Sequence, residues 1–299
     1  MAQGKPKVGI ALFGMQEWVG RDYRAVVDFV KLAEDHGVDQ VALGDHVVIG
    51  EDHSGYPFGQ FIADNRWPWP EPLTFLAAVA AVTQHITLSV DVLIAPLRPA
   101  VFVAKQLATL DNLSRGRVEM GFSVGWHKAE YDASGIPFHQ RGEILDEQLQ
   151  ACKLLWREMP ASFHGKHVSF DRMYCNPQPV RKDIPIWLGV PPTEKNFRRM
   201  VDWADGWVPL GITVPQIAEG VQRLKRDYEK KGRDPATLSV RSTILPAEVY
   251  GVNDIDAALA MAPALIDAGV THIEIYPGMF AKGPEDLPRI FDKLVTLKE

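Results

Sequence analysis

Short apolar runs of strand type alternate with longer stretches of helical period along almost the whole chain. In the first such unit, an apolar run precedes a stretch in which Ala25, Val26 and Phe29 share one helical face, and this stretch ends at Gly37. The pattern predicts eight strands, at residues 7–13, 40–46, 86–95, 117–125, 184–189, 206–210, 238–245 and 272–276. A helical stretch follows each of them, as is typical of successive parallel βα units.

Eight such units with short connections predict an α/β fold of the closed (β/α)8 type, a TIM barrel, because closure removes both exposed edges of the sheet. An open doubly wound sheet is the structural alternative. No change in composition divides the chain, so residues 1–299 are predicted to form a single domain. Two insertions interrupt the alternation, at about 47–70 and 159–183. The first is aromatic and is predicted to be a functional loop at the carboxyl face of the barrel, and the second is predicted to form a hairpin.

Composition narrows the possible partners. The formal charge of −6 comes from acidic and basic residues mixed along the chain, so no basic face for nucleic acid is expected. The two cysteines, Cys152 and Cys175, do not suggest a disulfide framework or a cysteine-based zinc site. A polar amino terminus and the lack of a long apolar run predict a cytoplasmic protein that does not enter the membrane.

In barrels of this kind, catalytic residues lie at the carboxyl ends of the strands. Those positions hold mostly glycine, proline and large apolar residues, with one acid–imidazole pair, Asp45 and His46. No His-x-His pair follows the first strand, so no metal site is predicted, and His164 and His167 are expected to be a solvated surface pair. A largely apolar pocket of this kind suits a flat aromatic cofactor. The alternative is that Asp45 and His46 only cap the loop after their strand.

Aromatic residues are expected to enclose the substrate. Phe13 ends the first predicted strand, and Trp67 and Trp69 lie in the first insertion. We predict that these three side chains line the substrate pocket. The alternative is a plain packing role, which is the more common one for buried aromatic residues.

Several motifs resemble the luciferase-like monooxygenase superfamily, and within it the branch of oxidoreductases that use the deazaflavin coenzyme F-420. The resemblance covers nearly the whole chain. The motifs that carry it are LGDH at 43–46, PAVFVAKQLATLDNLSRGR at 99–117, GFSVGW at 121–126, RG at 141–142, LDE at 145–147, NPQPVRKDIPIWLG at 176–189 and ADGW at 204–207. Relatives that use flavin mononucleotide (FMN) share most of these motifs.

The resemblance implies how the coenzyme ring would be held. In this family, the ring lies against a bulge in the third strand that contains a cis peptide bond without proline. The matching bond joins Asp91 to Val92, and Ile94 follows it in the same strand. We therefore expect a cis bond here and coenzyme contacts from these three residues.

The resemblance also assigns roles to four strand-end residues. Asp45 is expected to contact the deazaflavin ring, and His46 to be the catalytic residue that gives or takes a proton during hydride transfer. Gly125 and Trp126 are expected to line the coenzyme groove. A carboxylate found at this last position in some sugar-phosphate dehydrogenases of the family is replaced by Trp126, so that substrate is not expected here.

The coenzyme phosphate is expected near the fifth strand. Many relatives have two glycines there, whereas this chain has Gly189 and Val190, followed by prolines and by Thr193 at a helix start, whose amides could receive an anion. Basic side chains that could reach an anionic tail follow at Lys195, Arg198 and Arg199. The alternative is an ordinary solvated basic face.

The resemblance favours hydride transfer between coenzyme F-420 and a small, fairly apolar organic substrate. The first alternative is a monooxygenase that uses reduced FMN from a partner reductase, and the second is a non-catalytic cofactor-binding protein. Relatives commonly form dimers through helices beside the barrel, so a homodimer is expected.

Overall fold

A single parallel sheet curves into a barrel. In the computed structural model, which describes residues 4–59, 61, 63, 66–245 and 252–299, the strands are β1 Lys7–Ala11, β2 Gln40–Leu43, β3 Thr87–Val90, β4 Leu93–Ile94, β5 Met120–Ser123, β6 Ala161–His164, β7 Ser169–Met173, β8 Ile186–Gly189, β9 Gly206–Val208, β10 Ser239–Thr243 and β11 His272–Ile275. Nine of these described strands form the barrel sheet in the order β3-β2-β1-β11-β10-β9-β8-β5-β4, and all of its pairs are parallel.

The two ends of this sheet belong to one predicted strand. The third strand is divided into β3, which pairs with β2, and β4, which pairs with β5. The cis peptide bond expected between Asp91 and Val92 is present and lies between the two halves. Leu88 joins the ends through its amide, which donates to the Arg117 carbonyl at 2.9 Å, and its carbonyl, which accepts from the Glu119 amide at 3.0 Å. The ring is thus nearly closed, and the predicted (β/α)8 barrel is confirmed.

Helices surround the barrel. Within the described residues they are α1 Gln16–Val19, α2 Tyr23–Asp35, α3 Pro72–Val82, α4 Ala100–Leu113, α5 Lys128–Ala133, α6 Arg141–Arg157, α7 Glu194–Trp203, α8 Val214–Lys230, α9 Ile255–Leu259, α10 Ala262–Asp267 and α11 Leu287–Val295. Their formation follows from capping and from one apolar face. In α2, for example, the Asp22 carboxylate accepts the amides of Arg24 and Ala25, and Val26 and Val30 are buried.

Most predicted strands are longer than the observed ones at their carboxyl ends. The strand predicted at 40–46 ends at Leu43, and the one predicted at 117–125 is β5, which ends at Ser123. The residues beyond these ends leave the sheet, because their side chains and amides are hydrogen-bonded to other loops. Part of the loop after the strand predicted at 238–245, residues 246–251, lies outside the described residues.

The second insertion is a hairpin, as predicted. Strands β6 and β7 are antiparallel, and the Glu147 carboxylate on α6 accepts the amides of Lys166, His167 and Val168 at their turn. His164 lies on the exposed side of β6. The hairpin is therefore fastened to α6.

Two further findings concern the whole set of described residues. Cys152 and Cys175 are both buried and free of disulfides. No helix within the described ranges is both long enough and apolar enough to cross a membrane.

Candidate active site

Asp45 fastens the end of β2 to the end of β4. Its carboxylate is buried and receives two hydrogen bonds from the Arg98 guanidinium, at 2.7 and 2.9 Å, and one from the Ile94 amide, at 2.8 Å. A bidentate pair of this kind fixes orientation as well as charge. Asp45 therefore holds the segment that follows the third-strand bulge, and its contact with a coenzyme ring stays a prediction.

His46 is held by a carboxylate that the sequence did not suggest. Its Nδ1 lies 3.1 Å from Oε2 of Glu130 on α5, a side chain with no solvent exposure. The other oxygen, Oε1, accepts the Val47 amide at 2.5 Å and the Val48 amide at 3.4 Å. With the carboxylate as acceptor, Nδ1 of His46 donates, and Nε2 is the ring nitrogen that remains for another partner.

Aromatic side chains enclose the imidazole of His46. The ring centroid of Trp69 lies 4.9 Å from that of His46, and the centroids of Phe61 and Trp126 lie 5.7 and 5.9 Å from it. We call Tyr56, Phe61, Trp67 and Trp69 the aromatic cover. Tyr56 and Phe61 also pack on Trp126, with centroids 5.2 and 5.1 Å away. His46 therefore lies in a site from which water is largely excluded.

A hydrogen bond to His127 holds the first insertion, the loop that carries the aromatic cover. The Gly50 amide donates to Nε2 of His127 at 2.7 Å, and the His53 ring lies 6.0 Å from His127. Burial lowers the pKa of His127 below its usual range, which favours the neutral imidazole that this hydrogen bond requires.

The predicted substrate-pocket residues come together. Phe13 lies 4.5 Å from Trp67, 6.0 Å from Trp69 and 5.5 Å from Tyr276, measured between ring centroids. They border a small cavity of about 20 Å³, whose lining is Leu12, Phe13, Leu43, Gly44, Trp67, Pro68, Trp69 and Pro70. Ligand pockets usually begin near about 300 Å³. A tricyclic ring therefore needs more room than the cover leaves.

The predicted coenzyme residues of the third strand also converge with the predicted glycines. A Cβ atom on Gly189 would lie 2.7 Å from the Val92 side chain, and one on Gly125 would lie 2.8 Å from Ile94. Gly125 also has a φ of +63°, which glycine adopts at least cost. These glycines make room for the side chains of the bulge, and their contact with a coenzyme stays a prediction.

Only part of the region that is expected to bind the coenzyme phosphate is exposed. Val190 is buried, and its carbonyl accepts from the Trp207 indole at 3.0 Å. Thr193 is the exposed N-cap residue of α7, and its hydroxyl accepts the Asn196 amide at 3.4 Å. The expectation that Arg199 could meet an anionic tail is wrong. This side chain is buried, because Nη2 pairs with Asp146 at 2.9 Å and donates to the Gly142 carbonyl at 3.1 Å.

The described residues include no group of His, Cys, Asp and Glu side chains that could hold a metal ion. The chemistry of the cavity lining, which is apolar and aromatic, suits a flat ring, although the space left by the cover is small. The cis peptide bond at Asp91–Val92 lies at the carboxyl end of β3. Trp69 lines the cavity, and its indole nitrogen is buried without a hydrogen-bond partner among the described residues, which leaves an unused donor at this site.

Comparisons with known proteins agree with this geometry. Residues 8–289 match the sequence profile of the family described as "Luciferase-like monooxygenase". An uncharacterised protein of Mycobacterium tuberculosis is 34% identical over 223 residues, which covers 72% of this chain and 78% of that protein. The pyrimidine monooxygenase RutA of Pseudomonas savastanoi pv. phaseolicola is 35% identical over 170 residues, covering 55% of this chain and 47% of that protein.

Solved structures show the same fold. The monooxygenase RslO1 of Streptomyces bottropensis aligns with a TM-score of 0.79 at 20% identity and covers 97% of each chain. A secondary alcohol dehydrogenase that depends on F-420, solved with an F-420–acetone adduct, aligns with a TM-score of 0.78 at 14% identity and covers 99% of each chain. At these identities, the likeness concerns the fold.

Proposed function

This chain belongs to the luciferase-like monooxygenase family, and we propose that within it the protein is an oxidoreductase that transfers a hydride between coenzyme F-420 and a small, fairly apolar carbonyl or alcohol. The observation that carries the proposal is the fixed His46 beside the aromatic pocket, oriented by the buried Glu130 carboxylate. A proton-handling group beside an apolar pocket is what reversible reduction of a carbonyl requires from the protein.

The residues proposed to hold the coenzyme are those of the barrel mouth. Asp91, Val92 and Ile94 would support the ring from the strand side, and Trp126 would line the groove. The amides at the start of α7, after Thr193, would receive the phosphate, with Gly189 and Val190 shaping the loop before it. When bound, the deazaflavin supplies or accepts the hydride. The aromatic cover would move outward to admit the ring, since the cavity of about 20 Å³ is too small for it.

His46 would complete the proton balance. Addition of a hydride to a carbonyl carbon leaves an oxygen that must take a proton, and Nε2 of His46 would give it from the imidazolium form, which becomes the neutral ring with Nδ1 still donating to Glu130. In the reverse direction, Nε2 takes the proton from the alcohol. Glu130 keeps the imidazole in one orientation throughout, as carboxylates beside catalytic histidines do. Phe13, Trp67 and Trp69 would hold the apolar part of the substrate and exclude water.

A second candidate is a monooxygenase that uses reduced FMN from a partner reductase. It is favoured by the 35% identity with the pyrimidine monooxygenase RutA over 170 residues. The same pocket would serve, because exclusion of water matters in both reactions. We further propose that the protein acts in the cytoplasm as a homodimer.

The test is turnover of a panel of ketones, alcohols and activated alkenes by purified protein with F-420, followed by the absorbance of the coenzyme. The expected result is turnover without oxygen consumption, reduced at least about a hundredfold in His46→Asn. Oxygen-dependent turnover with reduced FMN alone would establish the second candidate. Absence of turnover with either coenzyme would favour a non-catalytic binding protein.

A further inference from the structure

A charged cluster lies inside the barrel below the third-strand bulge. Arg241 on β10 has no solvent exposure and donates to Gln40 at 2.5 Å and to Ser89 at 3.0 Å, and its other terminal nitrogen pairs with Asp91. Glu274 on β11 is also buried. TIM-barrel interiors are filled mainly by branched apolar side chains. A cation with two carboxyl groups at this position therefore calls for a physical explanation.

The cluster has one positive charge for two acids. Asp91 and Glu274 interact directly with each other, and Arg241 acts on both. If both acids were ionised, the dry interior would keep an uncompensated negative charge, which is costly. The hydrogen-bond pattern points the same way. Among the described residues, Oδ2 of Asp91 and Oε2 of Glu274 are buried without a donor. One proton between the two carboxyl groups supplies that donor.

Within the part of the chain that the structure describes, the remaining groups that face this pair do not supply a second positive charge. Thr243 on β10 donates to Oε1 of Glu274 at 2.8 Å, and the Tyr276 phenol interacts with both acids. His272 lies beside Arg241, but burial lowers its pKa to about 3, so it is neutral under ordinary conditions. Burial raises the pKa of Asp91, and it raises that of Glu274 to about 8.

The pair is connected to the pocket through two residues. Asp91 is itself the first residue of the cis bond, and its side chain is 11% exposed. Tyr276 packs against Phe13 with ring centroids 5.5 Å apart. The pair is therefore part of the bulge itself and, through Tyr276, lies next to the cavity residue Phe13.

We propose that Asp91 and Glu274 share one proton, and that Glu274 is a positioning residue which, through this proton, holds the third-strand bulge in the form that binds the coenzyme ring. On ionisation, the O–H bond of the shared acid breaks and the proton passes to solvent, leaving two carboxylates beside one guanidinium. The shared proton depends only on residues of this chain, whereas its effect on coenzyme binding rests on the proposed function.

The first experiment follows the infrared carbonyl band of a protonated carboxylic acid in the protein without coenzyme, from about pH 6 to about pH 10, a range that spans the shifted titration. Wild type is compared with Glu274→Gln and with the control Glu219→Gln, which changes an exposed residue of α8. We expect a band at neutral pH in wild type and in the control, lost at alkaline pH and absent in Glu274→Gln. No band at neutral pH in wild type, or a band that persists in Glu274→Gln, overturns the shared proton.

The second experiment measures the Kd of F-420, and of FMN as a second probe, over the same pH range. We expect binding to wild type and to the control to weaken about tenfold as the band disappears. Glu274→Gln keeps a neutral donor, so its Kd should change less than about twofold. Equal pH dependence in wild type and in Glu274→Gln overturns the positioning role. If neither probe binds, the positioning role fails with the proposed function, and the infrared band alone still decides the shared proton.

Discussion

The contact between Glu130 and His46 gives the sharpest prediction. In Glu130→Gln the side chain keeps its size but has one oxygen in place of two. In wild type, Oε2 lies 3.1 Å from Nδ1 of His46 and Oε1 lies 2.5 Å from the Val47 amide nitrogen. The single oxygen of glutamine can accept from only one of these two groups. The amide group of glutamine then faces either the Val47 amide, which can only donate, or Nδ1 of His46, which can accept only if the ring proton moves to Nε2. The substitution therefore either leaves a donor without a partner or changes the tautomer of His46.

The cost follows from the burial of this site. An unsatisfied buried donor costs about 1–3 kcal/mol. A chain of 299 residues has an unfolding entropy near about 2.1 cal/mol/K per residue, so each kcal/mol lowers the Tm by about 1.6 °C. We therefore expect Glu130→Gln to lower the Tm by about 2–5 °C. Turnover should fall at least about tenfold, since His46 loses its fixed orientation.

Two assays check this prediction together. Thermal unfolding followed by circular dichroism gives the Tm, and turnover is measured with the best substrate of the panel. The control is Glu219→Gln, an identical exchange at an exposed position of α8, which should change neither quantity. If Glu130→Gln kept both the Tm and the turnover of wild type, the reasoning that Glu130 holds His46 would be refuted.

Three further predictions concern the same framework. Arg98→Met leaves the buried Asp45 carboxylate without its cation and should lower the free energy of unfolding by about 3–5 kcal/mol in urea, with Arg98→Lys recovering part of it; equal stability of the methionine variant would contradict this. Gly125→Ala, at a φ of +63° and against Ile94, should cost at least about 1–2 kcal/mol in the same assay; an unchanged value would count against the tight packing of the bulge. Because burial raises the pKa of Glu274 from its ordinary value of 4.5 to about 8, the folded protein keeps a proton that the unfolded chain releases, so stability should fall as pH rises from 4.5 to about 8. The slope should approach about 1.4 kcal/mol per pH unit and be absent in Glu274→Gln; the same slope in both proteins would place the titration elsewhere.

Much of the fold could be predicted because the periodicity of apolar residues and the positions of turn residues are local properties of the chain. Each parallel strand is buried on both faces and reads as a continuous apolar run, so the eight units stand out. The ends of the strands were harder to predict, since tertiary partners decide where a strand stops. Asp45 leaves the sheet because Arg98 and the Ile94 amide bind its carboxylate.

The site was predicted in part. Asp45, His46 and the bulge residues could be chosen because motifs at strand ends mark them. Glu130 was missed because it lies in a short helix, 84 positions from His46 in sequence, and only the fold brings them together. Arg241 and Glu274 did carry a signal, since each is a lone charge in an apolar strand. Trp67 and Trp69, which the sequence analysis selected, line the cavity, whereas Trp18 packs on Phe29.

The most direct test of the account is an equilibrium titration of the protein with F-420 and, in parallel, with FMN, followed by fluorescence. We expect the protein to bind F-420 with clear preference over FMN. Val92→Asp, which changes the third-strand bulge, should abolish that binding while the fold is retained. Selective binding of FMN would favour the monooxygenase, and binding of neither coenzyme would contradict the central claim that this pocket holds a flavin-like ring.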